Sequence, residues 1–90
     1  MTLEERKLRA EQANRLLNDP MLSEAFAEVR RAYTEAWERT NDAQERERER
    51  LWLLVKSIDR IKGHLQSAME DGKLVDKQIL EIQPKKKFWG

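Results

Sequence analysis

Two amphipathic stripes separated by a charged tract constrain the fold of this chain more than any other feature of its sequence. The apolar residues of each stripe are spaced by three and four positions, which places side chains on one face of an α-helix. The first stripe comprises Leu22, Ala25, Phe26, Val29, Tyr33, Ala36 and Trp37. The second comprises Leu51, Leu54, Val55, Ile58, Ile61, Leu65, Ala68 and Met69. Each stripe must be buried against the other or against a partner, so the sequence predicts an all-α fold.

The composition agrees with a small helical domain. The chain has 90 residues, of which 39% are charged and 39% are hydrophobic, and the hydrophobic residues are periodic as in a helix bundle or coiled coil. Three glycines and two prolines are too few for the turns of an all-β fold. We predict one helical domain over residues 1–83, followed by a basic and aromatic C-terminal tail over residues 84–90.

Capping signals predict two helices in the first half of the chain. Thr2 and Glu5 form a capping-box pair, which predicts a first helix over Leu3–Leu17. Asp19 is a good N-cap residue and Pro20 suits the first helical position, so a break at residues 18–19 is followed by a second helix that runs from Pro20 to about Arg39.

A third and longer helix is predicted after Asp42, which forms a capping-box pair with Glu45. Asp71 and Gly72 indicate its end near Glu70, because glycine readily adopts the left-handed conformation that follows many helices. Residues 74–82 then favour a short fourth helix, with an extended segment as the alternative. The expected architecture is a long antiparallel helical hairpin of helices two and three, with an additional N-terminal helix and a short C-terminal segment.

The charged tract over residues 44–50 bears on how the two long helices meet. The last apolar anchor before it is Trp37 and the first after it is Leu51, so the midpoint of a tight hairpin falls at residue 44. Either the connection is longer than Asn41-Asp42, or one helix overhangs the other and leaves Trp37 without an intramolecular partner. The composition of the tract predicts a solvated helix or a frayed loop. Favourable ion pairs are predicted for Glu45–Arg48 and Glu47–Arg50.

Two regions carry more apolar or aromatic surface than a two-helix hairpin can cover. Residues 51–55 are apolar nearly all round the helix, which indicates a third helix or a second subunit. We therefore predict subunit contacts at Trp37, Leu51, Trp52 and Leu54. The tail residues Lys85, Lys86, Lys87, Phe88 and Trp89 are predicted to dock on a partner, because aromatic residues dominate binding hot spots. Contact with single-stranded nucleic acid, a membrane interface, packing on the chain's own core and a loose tail are the alternatives.

No catalytic, cofactor or metal signature is present in the sequence. His64 is the one histidine and there is no cysteine, which excludes multi-histidine, thiolate and disulfide sites. The net charge of +1 provides no global attraction to nucleic acid or membrane. The sequence has no apolar run of signal-peptide or membrane-spanning length, so we expect a cytoplasmic protein, without a small-molecule substrate.

The pattern of helix boundaries and apolar anchors over residues 10–74 resembles that of small helical proteins encoded by tailed bacteriophages and prophages near head and packaging genes. The segments that carry the resemblance are Leu-Leu-Asn-Asp-Pro-Met-Leu-Ser-Glu-Ala-Phe, Ala-Tyr-Thr-Glu-Ala-Trp, Arg-Glu-Arg-Leu-Trp-Leu-Leu-Val-Lys, Gly-His-Leu and Asp-Gly-Lys-Leu. The resemblance implies a virion component or assembly factor, in the virion or the host cytoplasm. The function hypothesis is a non-enzymatic interaction protein that acts as an oligomer. The alternatives are a packaging or regulatory protein that binds nucleic acid through its tail, and a small inhibitor of a host enzyme.

Overall fold

The computed structural model describes residues 1–82, which form three helices. They are α1 (Leu3–Leu17), α2 (Pro20–Glu38) and α3 (Glu45–Ile82). Within the described residues the chain contains no strand, so the predicted all-α class is confirmed. No helix in this part of the chain is long and apolar enough to cross a membrane.

The capping residues predicted for α1 and α2 act as expected. The Thr2 hydroxyl accepts a hydrogen bond from the Glu5 backbone N–H at 3.0 Å, and the Glu5 carboxylate accepts one from the Thr2 N–H at 3.2 Å. The Asp19 carboxylate accepts from the Leu22 N–H at 2.9 Å, and Pro20 occupies the first position of α2. These bonds satisfy backbone donors that have no partner inside the helix, which fixes where each helix begins.

The turn between α2 and α3 differs from the prediction, because Asp42 is not the capping residue. The Asn41 side chain accepts from the Ala43 N–H at 3.0 Å, and the Gln44 side-chain oxygen accepts from the Asn41 N–H at 3.0 Å. The reciprocal bonding expected of Asp42 and Glu45 is thus made one residue earlier. The connection covers residues 39–44, longer than Asn41-Asp42 alone.

The predicted helix end at Asp71-Gly72 is wrong, because α3 continues without interruption to Ile82. Gly72 does not have a positive φ, and a Cβ built on it would collide with the Ala10 Cβ. The residue is therefore a point of close approach between α1 and α3, not a helix terminator. The predicted fourth segment is the last part of α3.

Helix α1 packs along the C-terminal half of α3 in the antiparallel direction. Arg6 forms a salt bridge with Asp71 at 2.6 Å, and Lys7 forms one with Asp76 at 3.2 Å. Of the five apolar residues that are buried within residues 1–82, four lie at this contact, and the fifth is Leu51 in the other half of α3. The four are Ala10, Ala13, Ala68 and Val75. Small side chains thus allow the two helix backbones to come close together.

Helix α2 packs along the N-terminal half of α3, also in the antiparallel direction but in a different register. The Arg30 guanidinium donates to the Asp59 carboxylate at 2.8 Å. In sequence, the midpoint between these two residues falls between residues 44 and 45, next to the midpoint predicted for the hairpin. For α1 and α3, the contacting residues Ala10 and Gly72 have their sequence midpoint at residue 41 instead. The break at residues 18–19 thus displaces α1 from the line of α2.

The described part of the chain is elongated, with a thin core. Its Cα radius of gyration is 20.2 Å, whereas a compact domain of this size has a value of about 12 Å. No buried side-chain polar atom among the described residues lacks a hydrogen-bond partner. The buried side-chain polar atoms in this part of the chain therefore all have hydrogen-bond partners, whereas many of its large apolar side chains lie outside the core.

Candidate interaction surface

One apolar stripe of α3 is covered along only half of its length. Leu54, Ile61, Ala68 and Val75 are seven residues apart and share one side of the helix. Ala68 and Val75 are 5% and 0% exposed under α1, whereas Ile61 is 50% exposed and Leu54 is half-buried. With Ala10 opposite Gly72, α1 ends level with Leu65. The stripe is therefore open from Leu65 back to Leu54.

Helix α2 does not cover this open part, because it lies against another side of α3. Asp59 bonds to Arg30, and Val55 lines a shallow depression together with Trp37. At 100° per residue, Leu54 and Ile61 lie on average about 130° around α3 from these contacts. A third helix packed there would contact α3 without displacing α2.

Helix α2 carries a matching open stripe of its own. Ala25, Val29 and Ala32 are exposed and Ala36 is half-buried, at spacings of three and four. This stripe lies on average about 120° around α2 from Arg30 and Trp37, which contact α3, and in the same rotational sense. Because the two helices are antiparallel, similar offsets place both stripes on the same side of the pair. We refer to this side as the open face; it consists of Ala25, Val29, Ala32, Ala36, Leu54, Ile61 and Leu65.

The charges beside the open face differ between the two helices. The outer edge of α2 carries Glu24, Glu28, Arg31 and Glu35, with an excess of negative charge. Hydrogen bonds from Arg31 lower the pKa of Glu28, and the two carboxylates it contacts, Glu28 and Glu35, raise the pKa of Arg31. Each of these two shifts favours the charged form of its group, so the ion pair of Glu28 and Arg31 is maintained at neutral pH.

The outer edge of α3 has the opposite sign. It carries Arg46, Arg50 and Arg60, of which Arg50 is paired with Glu47 at 2.7 Å, and His64 lies beside them. The Arg9 guanidinium lies 3.2 Å from the His64 ring nitrogen and brings another cation to this edge. Arg60 and His64 also line a shallow apolar depression around Ile61. The open face is thus bordered by acidic residues on α2 and basic residues on α3.

Trp37, predicted to make subunit contacts, has partners within its own chain. The Arg48 guanidinium carbon lies 4.3 Å from the centroid of the Trp37 ring, within the range of a cation–π interaction. Arg48 also donates to the Thr40 hydroxyl at 2.8 Å. The overhang that would leave Trp37 without an intramolecular partner does not occur.

The other predicted contact residues on α3 lie in different environments. Leu51 is 6% exposed and belongs to the core, whereas Trp52 is 50% exposed, with the Lys56 ammonium 5.2 Å from its ring centroid. Trp52 shares a depression with Trp37 on the side of α3 away from Leu54. Of the four residues, only Leu54 belongs to the open face. The residues that sequence reasoning did not single out are Ile61 and Val29, although both stand in the predicted stripes.

The charged tract forms the helical start of α3. The predicted Glu47–Arg50 ion pair is present, whereas Arg48 bonds to Thr40 and stacks on Trp37 where a pair with Glu45 was expected. The predicted contacts of Lys85, Lys86, Lys87, Phe88 and Trp89 lie outside the described residues.

Neither a metal centre nor a relative defines the chemistry of this surface. Within residues 1–82, no three histidine, cysteine, aspartate or glutamate side chains are placed to hold a metal ion. Comparisons with protein-family models, curated proteins and solved structures found no match to this chain. The interpretation of the open face therefore rests on its own geometry and charge.

Proposed function

We propose that this chain is a non-enzymatic protein–protein interaction module, in which α2 and α3 form a long antiparallel hairpin that self-associates through the open face. The observation that carries the proposal is the stripe on α3 that α1 buries at Ala68 and Val75 but leaves open at Leu54 and Ile61. Contiguous exposed apolar surface bordered by polar residues is characteristic of interaction sites. The resemblance to phage proteins suggests a role in head structure or assembly, in the host cytoplasm or the virion.

Light scattering on the full chain, with two matched variants, tests this proposal. Ile61 and Leu74 are both on α3 and are 50% and 57% exposed, but only Ile61 is on the open face. We expect the wild type and Leu74→Glu to scatter as a multiple of 10.8 kDa across a concentration series. Ile61→Glu places a charge on the apolar face and should scatter as a single chain. A wild type that stays at the single-chain mass throughout would refute the proposal, as would equal dissociation of the two variants.

A further inference from the structure

The charges that border the open face carry information about how two copies would be arranged. An isologous pair can place its open faces together in two ways. With a two-fold axis parallel to the helices, α2 of each copy lies on α3 of the other. With the axis perpendicular to the helices, α2 lies on α2 and α3 lies on α3. In the second arrangement the acidic edges face each other and the basic edges face each other, which is unfavourable.

The parallel axis also fixes the axial register between copies. A rotation about an axis along the helices keeps each residue at its own height, so contacts between copies follow the register within one chain. Arg30 is level with Asp59 in that register. Glu28 is then level with Ile61 of the partner subunit, and one residue, about 1.5 Å, from the height of Arg60 of the partner subunit. An acidic residue of one edge, Glu28, and a basic residue of the other, Arg60 of the partner subunit, therefore lie at nearly the same height.

We propose that two copies of this chain pair through the open face with a two-fold axis parallel to the helices, so that residues 24–38 of α2 lie on residues 51–65 of α3 in the other copy. This inference rests on the proposed function and specifies its partner and geometry. Neighbouring helices in the resulting bundle are antiparallel. Ala25, Val29 and Ala32 would cover the stripe of Leu54, Ile61 and Leu65 that α1 leaves open.

Disulfide formation between single-cysteine chains tests the arrangement, because the natural chain has no cysteine. Ala32 and Ser57 are both exposed, and the proposed register places Ala32 of one copy level with Ser57 of the other. We expect Ala32→Cys chains mixed with Ser57→Cys chains to form a crosslinked pair under mild oxidation. Neither variant should crosslink alone. The matched control is Ser67→Cys, an exposed position about 15 Å further along α3, which should not crosslink to Ala32→Cys.

A charge-reversal cycle measured by light scattering provides a second readout. Glu28→Arg and Arg60→Glu should each weaken the pairing by about tenfold, and the double variant should recover most of that loss. Crosslinking of Ala32→Cys alone, or dimers without a crosslink in the mixture, would overturn this arrangement while leaving self-association intact. A chain that never exceeds the single-chain mass would overturn both this inference and the proposed function.

Discussion

The two halves of α3 show the same spacing of apolar residues but meet very different neighbours. In the C-terminal half, α1 covers the stripe directly, and the contact is made by small residues that become fully buried: Ala10, Ala13, Ala68, Gly72 and Val75. In the N-terminal half, α2 packs to one side, and the larger Leu54 and Ile61 remain accessible. The apolar stripe is therefore buried within the chain along one half of α3 and partly exposed along the other.

The difference follows from the way in which α1 and α2 are placed on α3. Close packing of small side chains holds α1 on α3 with little surface, because backbones that approach closely make many van der Waals contacts. The break at residues 18–19 then moves α2 around α3, so that α1 covers one side and α2 another. The part of the stripe beyond the end of α1 is open because of this displacement.

The largest expected effect comes from the one core residue in the open half. Leu51→Ala removes a side chain that is 6% exposed and should lower the free energy of unfolding by about 2–3 kcal/mol. Urea unfolding followed by circular dichroism measures it. Because Leu51 is buried within one chain, the loss should be the same at all protein concentrations.

Ile61→Ala is the matched control for this comparison. Ile61 is 50% exposed in the single chain, so its truncation should destabilise the protein only at concentrations where the chain self-associates. If the Leu51→Ala loss grew with concentration in the same way, Leu51 would belong to the subunit contact and the division between core and open face would fail.

The two glycines within α3 give a smaller effect whose sign differs between positions. Gly72→Ala places a Cβ against Ala10 and should destabilise the protein by about 1–2 kcal/mol, because overpacking outweighs the gain in helix propensity. A Cβ at Gly63 meets nothing within 4 Å, so Gly63→Ala should stabilise it by up to about 1 kcal/mol. Thermal unfolding of the two variants side by side measures both effects. Stabilisation by Gly72→Ala would show that α1 does not approach α3 closely at this point.

Gly72 also shows which parts of the fold could be predicted from the sequence. The starts of α1 and α2 were predictable because their caps are local: Thr2 with Glu5, and Asp19 with Leu22, are three residues apart. Gly72 was misinterpreted because its role depends on Ala10, 62 residues away in the chain. A local signal did exist, since Val75, Ile79 and Ile82 continue the spacing of the second stripe past Gly72.

The candidate surface was predictable only in part, for a related reason. The stripes themselves are visible in the sequence, and so is the apolar run over residues 51–55, in which Leu51 is buried while Trp52 and Leu53 are half-exposed. Which part of a stripe α1 covers depends on the direction of the chain after residue 18, which no local pattern determines. Trp37 was predicted as a contact because of a possible overhang, and Trp52 because of the apolar run over residues 51–55, yet Arg48 and Lys56 lie over their rings and the open face is elsewhere.

The smallest expected effect is a pH dependence that distinguishes the two halves through their ion pairs. Arg6 holds Asp71 through two hydrogen bonds, at 2.9 and 2.6 Å, and Arg30 holds Asp59 through two, at 2.8 and 3.2 Å. Each arginine lowers the pKa of its aspartate, so the folded chain binds these protons less readily than the unfolded chain, where the pKa is about 3.9. The stabilisation is fully present above that pKa and is lost as the pH falls through the lower pKa of the folded state.

Thermal unfolding between pH 7 and pH 2 should show that Asp71→Asn is less stable than the wild type at pH 7 and approaches the stability of the wild type at the acidic end. The Asp59→Asn difference should be smaller, because the Asp59 side chain is 39% exposed against 27% for Asp71. A constant gap between Asp71→Asn and the wild type at every pH would mean that the Arg6 bond contributes nothing through charge.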